Sequence, residues 1–151
     1  MPRIVREAEI VWQGSIARGA GVVRARSSDA FALPTTIASR VAEPGGKTSP
    51  EELLAAAHAT CYVTSLGSEL ARAGLPPERL EVHCAITIDE VEEVGHRVVL
   101  SEISARGVVP GSDAASFAQA AAAADDGCTF SALIRASATV TIEATLEEGE
   151  R

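Results

Sequence analysis

The stretch from Ser49 to Gly74 constrains this chain more than any other, because it reads as one long helix with almost no polar residue in its middle. Ser49 is a good N-cap, Pro50 suits the first helical position, where the N–H has no partner anyway, and Glu52 completes an S-x-x-E capping box. The helix is expected to run through Leu53-Leu54-Ala55-Ala56-Ala57-His58-Ala59-Thr60-Cys61-Tyr62-Val63 to about Ala73. There Gly74 supplies a stop and Pro76-Pro77 forbid continuation. A helix apolar on nearly every side is normally surrounded by protein. It is therefore expected at the centre of the fold or at a subunit interface, without a polar stripe facing solvent.

Strand signals lie on both sides of it. Glu7 to Gln13 and Val22 to Arg26 predict an N-terminal antiparallel pair, and Phe31 to Val41 reads as β-like, interrupted by Pro34, before the Pro44-Gly45-Gly46-Lys47 turn. Leu80, Val82, Cys84, Ile86 and Ile88 alternate on one face of a strand ending near Asp89, and a second strand covers His96 to Val109, with Glu90 to Val94 as the connection. Ser112 is expected to cap a second helix from Asp113 to about Asp126, followed by Gly127 and, after Cys128, a short helical turn over Thr129 to Arg135. Ala138 to Leu146 alternates as a last strand. The reading is α+β, a single domain over residues 1–151 with antiparallel sheets around two main helices.

Composition removes several function classes. A formal charge of -8 without a Lys/Arg cluster argues against a nucleic-acid partner. Charges at Arg3 and Arg6 stand where a signal peptide needs its apolar stretch, and no apolar run approaches membrane-spanning length, so a soluble cytoplasmic protein is expected. Cys61, Cys84 and Cys128 are odd in number and far apart, and any disulfide among them in a reducing cytosol should be transient.

Taken alone, Cys61 in its apolar helix reads as a small buried hydrophobe. Burial raises a thiol's pKa, so a reactive Cys61 needs a cation from elsewhere, with Arg40 and Arg18 as candidates. Cys128 follows a glycine at a helix break, a position suited to a resolving thiol or to a loop cysteine of no role. Cys84 fills one slot in a regular apolar strand face and reads as structural. Glu51 suits a helix's first turn whatever else it does. His58, three residues before Cys61, reads as a packing or orienting residue, with a Cys-His pair or half a metal site as the alternatives; His83 and His96 lie on other strands.

The run Gly46-Lys47-Thr48-Ser49-Pro50-Glu51-Glu52-Leu53-Leu54-Ala55-Ala56-Ala57-His58-Ala59-Thr60-Cys61-Tyr62 resembles the G-x-T-[NS]-P-E-E-L-x-x-A-A-H-[AS]-x-C-[FY] signature of the OsmC/Ohr family. Gly127-Cys128-Thr129-Phe130-Ser131 resembles its second motif, and Trp12-Gln13-Gly14 and Val109-Pro110-Gly111 extend the likeness over nearly the whole chain, closer to the OsmC branch. Thr129 stands where the family usually has Pro.

The resemblance implies a peroxidase of organic hydroperoxides, with hydrogen peroxide reduced less well. Cys61 becomes a sulfenic acid, Cys128 condenses with it, and an external dithiol, for instance of lipoyl type, resets the disulfide without cofactor or metal. It also implies that Glu51 and an arginine assist. Arg40 best matches the OsmC branch, and Arg18 the organic-hydroperoxide branch. Ten residues of helix separate Glu51 from Cys61 by roughly 15 Å, so a shared site implies an intertwined homodimer. The competing readings are a cysteine hydrolase or acyl transferase using Cys61 and His58, and a non-catalytic redox-sensing stress protein.

Overall fold

The first strand, β1 (Ala8–Gln13), pairs antiparallel with β2 (Ala20–Ala25), Ala8 facing Ala25 and Gln13 facing Ala20. The turn between them is tight at Gly19, where an added Cβ would collide with the Gln13 carbonyl oxygen. β3 (Ala32–Thr35) adds antiparallel to β2, with Pro34 on the edge strand, where its missing N–H is tolerated. The computed structural model describes residues 1–149. It divides into one unit over Met1–Leu53 and a second from Leu54 onward.

The β-like reading of Phe31 to Val41 needs correction. After β3 the chain forms a short helix, α1 (Ile37–Val41), because Thr36 and Ser39 make a reciprocal capping box. The Ser39 N–H donates to Thr36 Oγ1 and the Thr36 N–H to Ser39 Oγ, each at 3.0 Å. Ser39 also donates to the Thr48 carbonyl at 2.7 Å, fixing α1 against the loop that leads into the long helix.

That helix, α2 (Pro50–Arg72), starts and stops where its signals lie. Its cap is half of the expected box. The Glu52 N–H donates to Ser49 Oγ at 3.2 Å, while the Glu52 carboxylate turns to the Thr48 hydroxyl at 2.8 Å. The helix does carry an exposed stripe, Ala56, Thr60, Thr64 and Ser68 at four-residue spacing. Its hydroxyls fold back: Thr60 donates to the Ala56 carbonyl, Thr64 to Cys61 and Ser68 to Thr64. The opposite face buries His58, Tyr62, Leu66 and Leu70.

The second unit packs this face on a sheet ordered β4 (Arg79–Val91), β5 (Gly95–Val108) and β6 (Thr139–Glu147). β4 and β5 form the expected hairpin, although Glu90 and Val91 belong to the strand rather than to its connection. The expectation of antiparallel sheets fails at β6, which runs parallel to β5. A parallel neighbour requires a crossover, and α3 (Ala114–Gly127) and α4 (Thr129–Arg135) supply it. Asp113, rather than Ser112, caps α3, its carboxylate accepting the Ser116 N–H at 2.7 Å.

Leu66, Leu70, Ile103, Ala105, Phe117 and Ala124 are central to a core poor in aromatics. Gly107 makes room for Phe117, whose ring would lie 2.9 Å from an added Cβ. The α+β class therefore stands, with one antiparallel and one mixed sheet. No described helix is long and apolar enough to cross a membrane.

Candidate active site

Cys61 and Cys128 are brought together. Their sulfurs lie 3.3 Å apart, and all three cysteines are free thiols. Cys128 closes α3 as its C-cap and opens α4 as its N-cap, in extended backbone at φ -80 and ψ 114. Its N–H donates to the Asp125 carbonyl, and its sulfur accepts the Ser131 N–H at 3.5 Å. The residue is 1% exposed, so the loop-cysteine reading does not describe it.

Cys61 is half-buried rather than deeply buried. Burial pushes its thiol pKa up and the adjacent Cys128 adds to this, while the backbone N–H groups of Phe130 and Thr129 pull it down. No cationic side chain figures among these influences. A thiolate at Cys61 accordingly needs a positive charge that its own surroundings in this unit do not supply.

His58 does not face Cys61. Its Nδ1 lies 2.7 Å from Ser101 Oγ and its Nε2 lies 2.8 Å from Ser131 Oγ, in the fully buried interior. Both ring nitrogens are thereby engaged, which removes His58 as a base for Cys61 and leaves the orienting role. The Cys84 sulfur lies 3.8 Å from His58 Nδ1 and 3.3 Å from Ser101 Oγ. Cys84 stays a thiol because burial raises its pKa, only partly offset by the Ser101 hydroxyl. Among the described residues no group of three or more His, Cys, Asp and Glu gathers as a metal would require.

Burial lowers the His58 pKa from 6.5, with the Asp125 carboxylate opposing and Arg135 reinforcing that shift. A base whose folded pKa is depressed stabilises the fold fully above its unfolded value and loses that contribution as pH falls toward the folded value. Stability should therefore drop below about pH 6.5 with a slope of at most one proton, about 1.4 kcal/mol per pH unit. His58→Gln should flatten this limb in urea titrations between pH 5 and 7. An unchanged slope would mean that another group titrates.

In the first unit, Arg40 Nε donates to Glu51 Oε1 at 2.7 Å. The second Glu51 oxygen, Oε2, is buried without a hydrogen-bond partner. Arg18 sits in the β1–β2 turn, its N–H donating to Ser15 Oγ, and it makes no ion pair among the described residues. Beside Arg40 lies an apolar cleft of about 330 Å³, lined by Ile10, Trp12, Ile16, Val23 and Leu53 among others.

Sequence reasoning gave no role to Ser101 or Ser131, or to the Arg135–Asp125 ion pair at 2.7 Å that spans the Cys128 turn. That pair braces the turn that carries Thr129. Ser131 lies inside the second motif, the one available signal. Ser101 carried none.

Fold and thiol geometry together define an α+β protein with a paired-cysteine centre. The chain belongs to the OsmC-like protein family, which it matches over residues 43–143. It is 31% identical over 137 residues to Peroxiredoxin OsmC of Escherichia coli (strain K12), covering 91% of this chain and 94% of that protein. Among solved structures, an organic hydroperoxide resistance protein OsmC from Legionella pneumophila superposes with a TM-score of 0.76 at 18% identity, covering 95% of this chain and 99% of the other. The organic hydroperoxide resistance protein OhrB of Bacillus subtilis gives 0.71 at 18% identity, covering 92% and 98%. At that identity the two structures establish the shared fold.

Proposed function

We propose that this chain is a thiol-dependent peroxidase that reduces organic hydroperoxides through Cys61 and Cys128. The observation that carries the reading is the 3.3 Å separation of the two sulfurs. An S–S bond is about 2.0 Å, so closure needs only a small local shift. The Cys61 thiolate attacks the outer peroxide oxygen, the O–O bond breaks, and the alkoxide leaves as an alcohol after taking a proton. Cys128 then displaces hydroxide from the Cys61 sulfenic acid, giving a disulfide and water, and an external dithiol returns both thiols by exchange. No cofactor or metal takes part in this cycle. The cytoplasm, where thiols are kept reduced, suits it.

Arg40 and Glu51 are the proposed assisting pair, and their mutual hydrogen bond favours Arg40 over Arg18. The unpartnered Glu51 oxygen suits the O–H of a bound hydroperoxide. Because Glu51 and Cys61 are ten residues apart on one helix, we assign the pair to the site of a second copy, in a two-fold homodimer. The exposed apolar side chains Ile10, Val11 and Ile16 support such an assembly. The family match spans residues of both units, which supports their acting as one domain.

The test is peroxide consumption with dihydrolipoamide as reductant. Burying about 100 Å² of an organic tail is worth roughly 2.5 kcal/mol, so cumene hydroperoxide should outrun hydrogen peroxide by about ten- to a hundredfold. Many equivalents should be consumed. One equivalent alone would indicate a sensor, and none would overturn the peroxidase.

A further inference from the structure

His58 and Ser131 stand in matched positions about the two sulfurs. His58 is three residues before Cys61 on α2, and Ser131 is three residues after Cys128 on α4. Their side chains meet at 2.8 Å, both fully buried. Apart from the contacts of the Cys61 sulfur with Cys128 and with the Thr129 and Phe130 N–H groups, this is the one side-chain hydrogen bond between α2 and α4 among the described residues. The other ring nitrogen is fixed by Ser101 on β5, so the imidazole cannot turn without breaking a second buried bond. α4 has only seven residues, too few to hold its own geometry in water.

We propose that His58 and Ser131 are positioning residues for disulfide closure, tying the two cysteine-bearing helices together while Cys61 is a sulfenic acid; this rests on the peroxidase reading above. In that interval two reactions compete. Either the Cys128 sulfur bonds to the Cys61 sulfur, breaking its S–O bond and releasing water with the thiol's proton, or a second hydroperoxide oxidises the sulfenic acid to sulfinic acid and leaves as an alcohol. A sulfur displaced by about 1 Å can slow a unimolecular step on the order of a hundredfold, whereas the first oxidation of Cys61 needs no second sulfur. The tie therefore sets which branch is taken.

Ser131→Ala removes the bond with little change in volume. Rapid-quench mass spectrometry after one equivalent of cumene hydroperoxide should show disulfide closure slowed at least about tenfold, with dimedone-trappable sulfenic acid accumulating and the loss of the Cys61 thiol slowed far less. With excess hydroperoxide, the sulfinic product should rise. A general loss of packing would instead slow both steps together, and that result would overturn the proposal. Should Ser131→Ala not fold, His58→Gln, which shortens the reach to Ser131, supplies the same comparison. Closure at the wild-type rate in a folded variant overturns the tie alone. Absence of a Cys61–Cys128 disulfide in the wild-type protein would overturn the tie and the peroxidase reading together.

Discussion

Cys61→Ser is expected to abolish peroxide turnover, by on the order of 10³-fold or more, because a hydroxyl does not form the thiolate on which the reaction depends. Cys128→Ser should instead consume about one equivalent and stall as sulfenic or over-oxidised acid, since nothing then displaces the hydroxyl from Cys61. Cys84→Ser should keep turning over. Its sulfur is in contact with Ser101 and His58, and burial keeps its proton on. Intact mass spectrometry after one equivalent of peroxide distinguishes the three variants. The expected wild-type product is the Cys61–Cys128 disulfide with Cys84 still alkylatable; a disulfide containing Cys84 would sink the assignment.

The second large effect is a gain of activity. Cys61→Ser and Glu51→Ala chains are each expected to be inactive alone, yet refolding them together should restore peroxidase activity. α2 is continuous from Pro50 to Arg72, so the two positions cannot meet within one helix. If each site takes Cys61 from one copy and Glu51 from the other, each mixed dimer holds one intact site. Random pairing makes about half of the dimers mixed, so the mixture should reach roughly a quarter of wild-type activity. Sites confined to single chains would give none. Mixed dimers purified on two affinity tags and found inactive would therefore refute the shared site.

Features written in neighbouring residues were legible in the sequence. Ser49, Pro50, Gly74 and Pro76 delimit α2 by rules that act within one turn, and the helix runs between them. The alternation from Leu80 to Ile88 likewise placed β4 and put Cys84 on its inner face. α1 was missed because Pro34 and the β-branched Thr35, Thr36 and Ile37 suggest an extended chain, while the deciding signal was a capping box between Thr36 and Ser39. The exposed stripe of α2 was missed for another reason: its Thr and Ser hydroxyls are spent on the helix's own carbonyls.

The candidate site divides along the same line. Cys61, Cys128 and Glu51 sit in recognisable local motifs, whereas the partners of His58 are 43 and 73 residues away and no local pattern announces them. The parallel direction of β6 was equally hidden, being a property of the α3–α4 crossover rather than of the strand.

That crossover bears on how the protein reaches its native state. β6 first pairs with β5 at Leu100 opposite Thr139, so the segment carrying Cys128 is looped out until a non-local strand pairing closes it. The β4–β5 hairpin, by contrast, needs only neighbouring chain and contains Cys84. Loop closure makes non-local parallel pairing the slower event. Cys84 and Cys61 are then expected to be accessible as thiols before Cys128 has its place, and an oxidant met at that stage would cross-link the wrong sulfurs. Refolding with a thiol reductant present is therefore expected to give more native protein than refolding under oxidant.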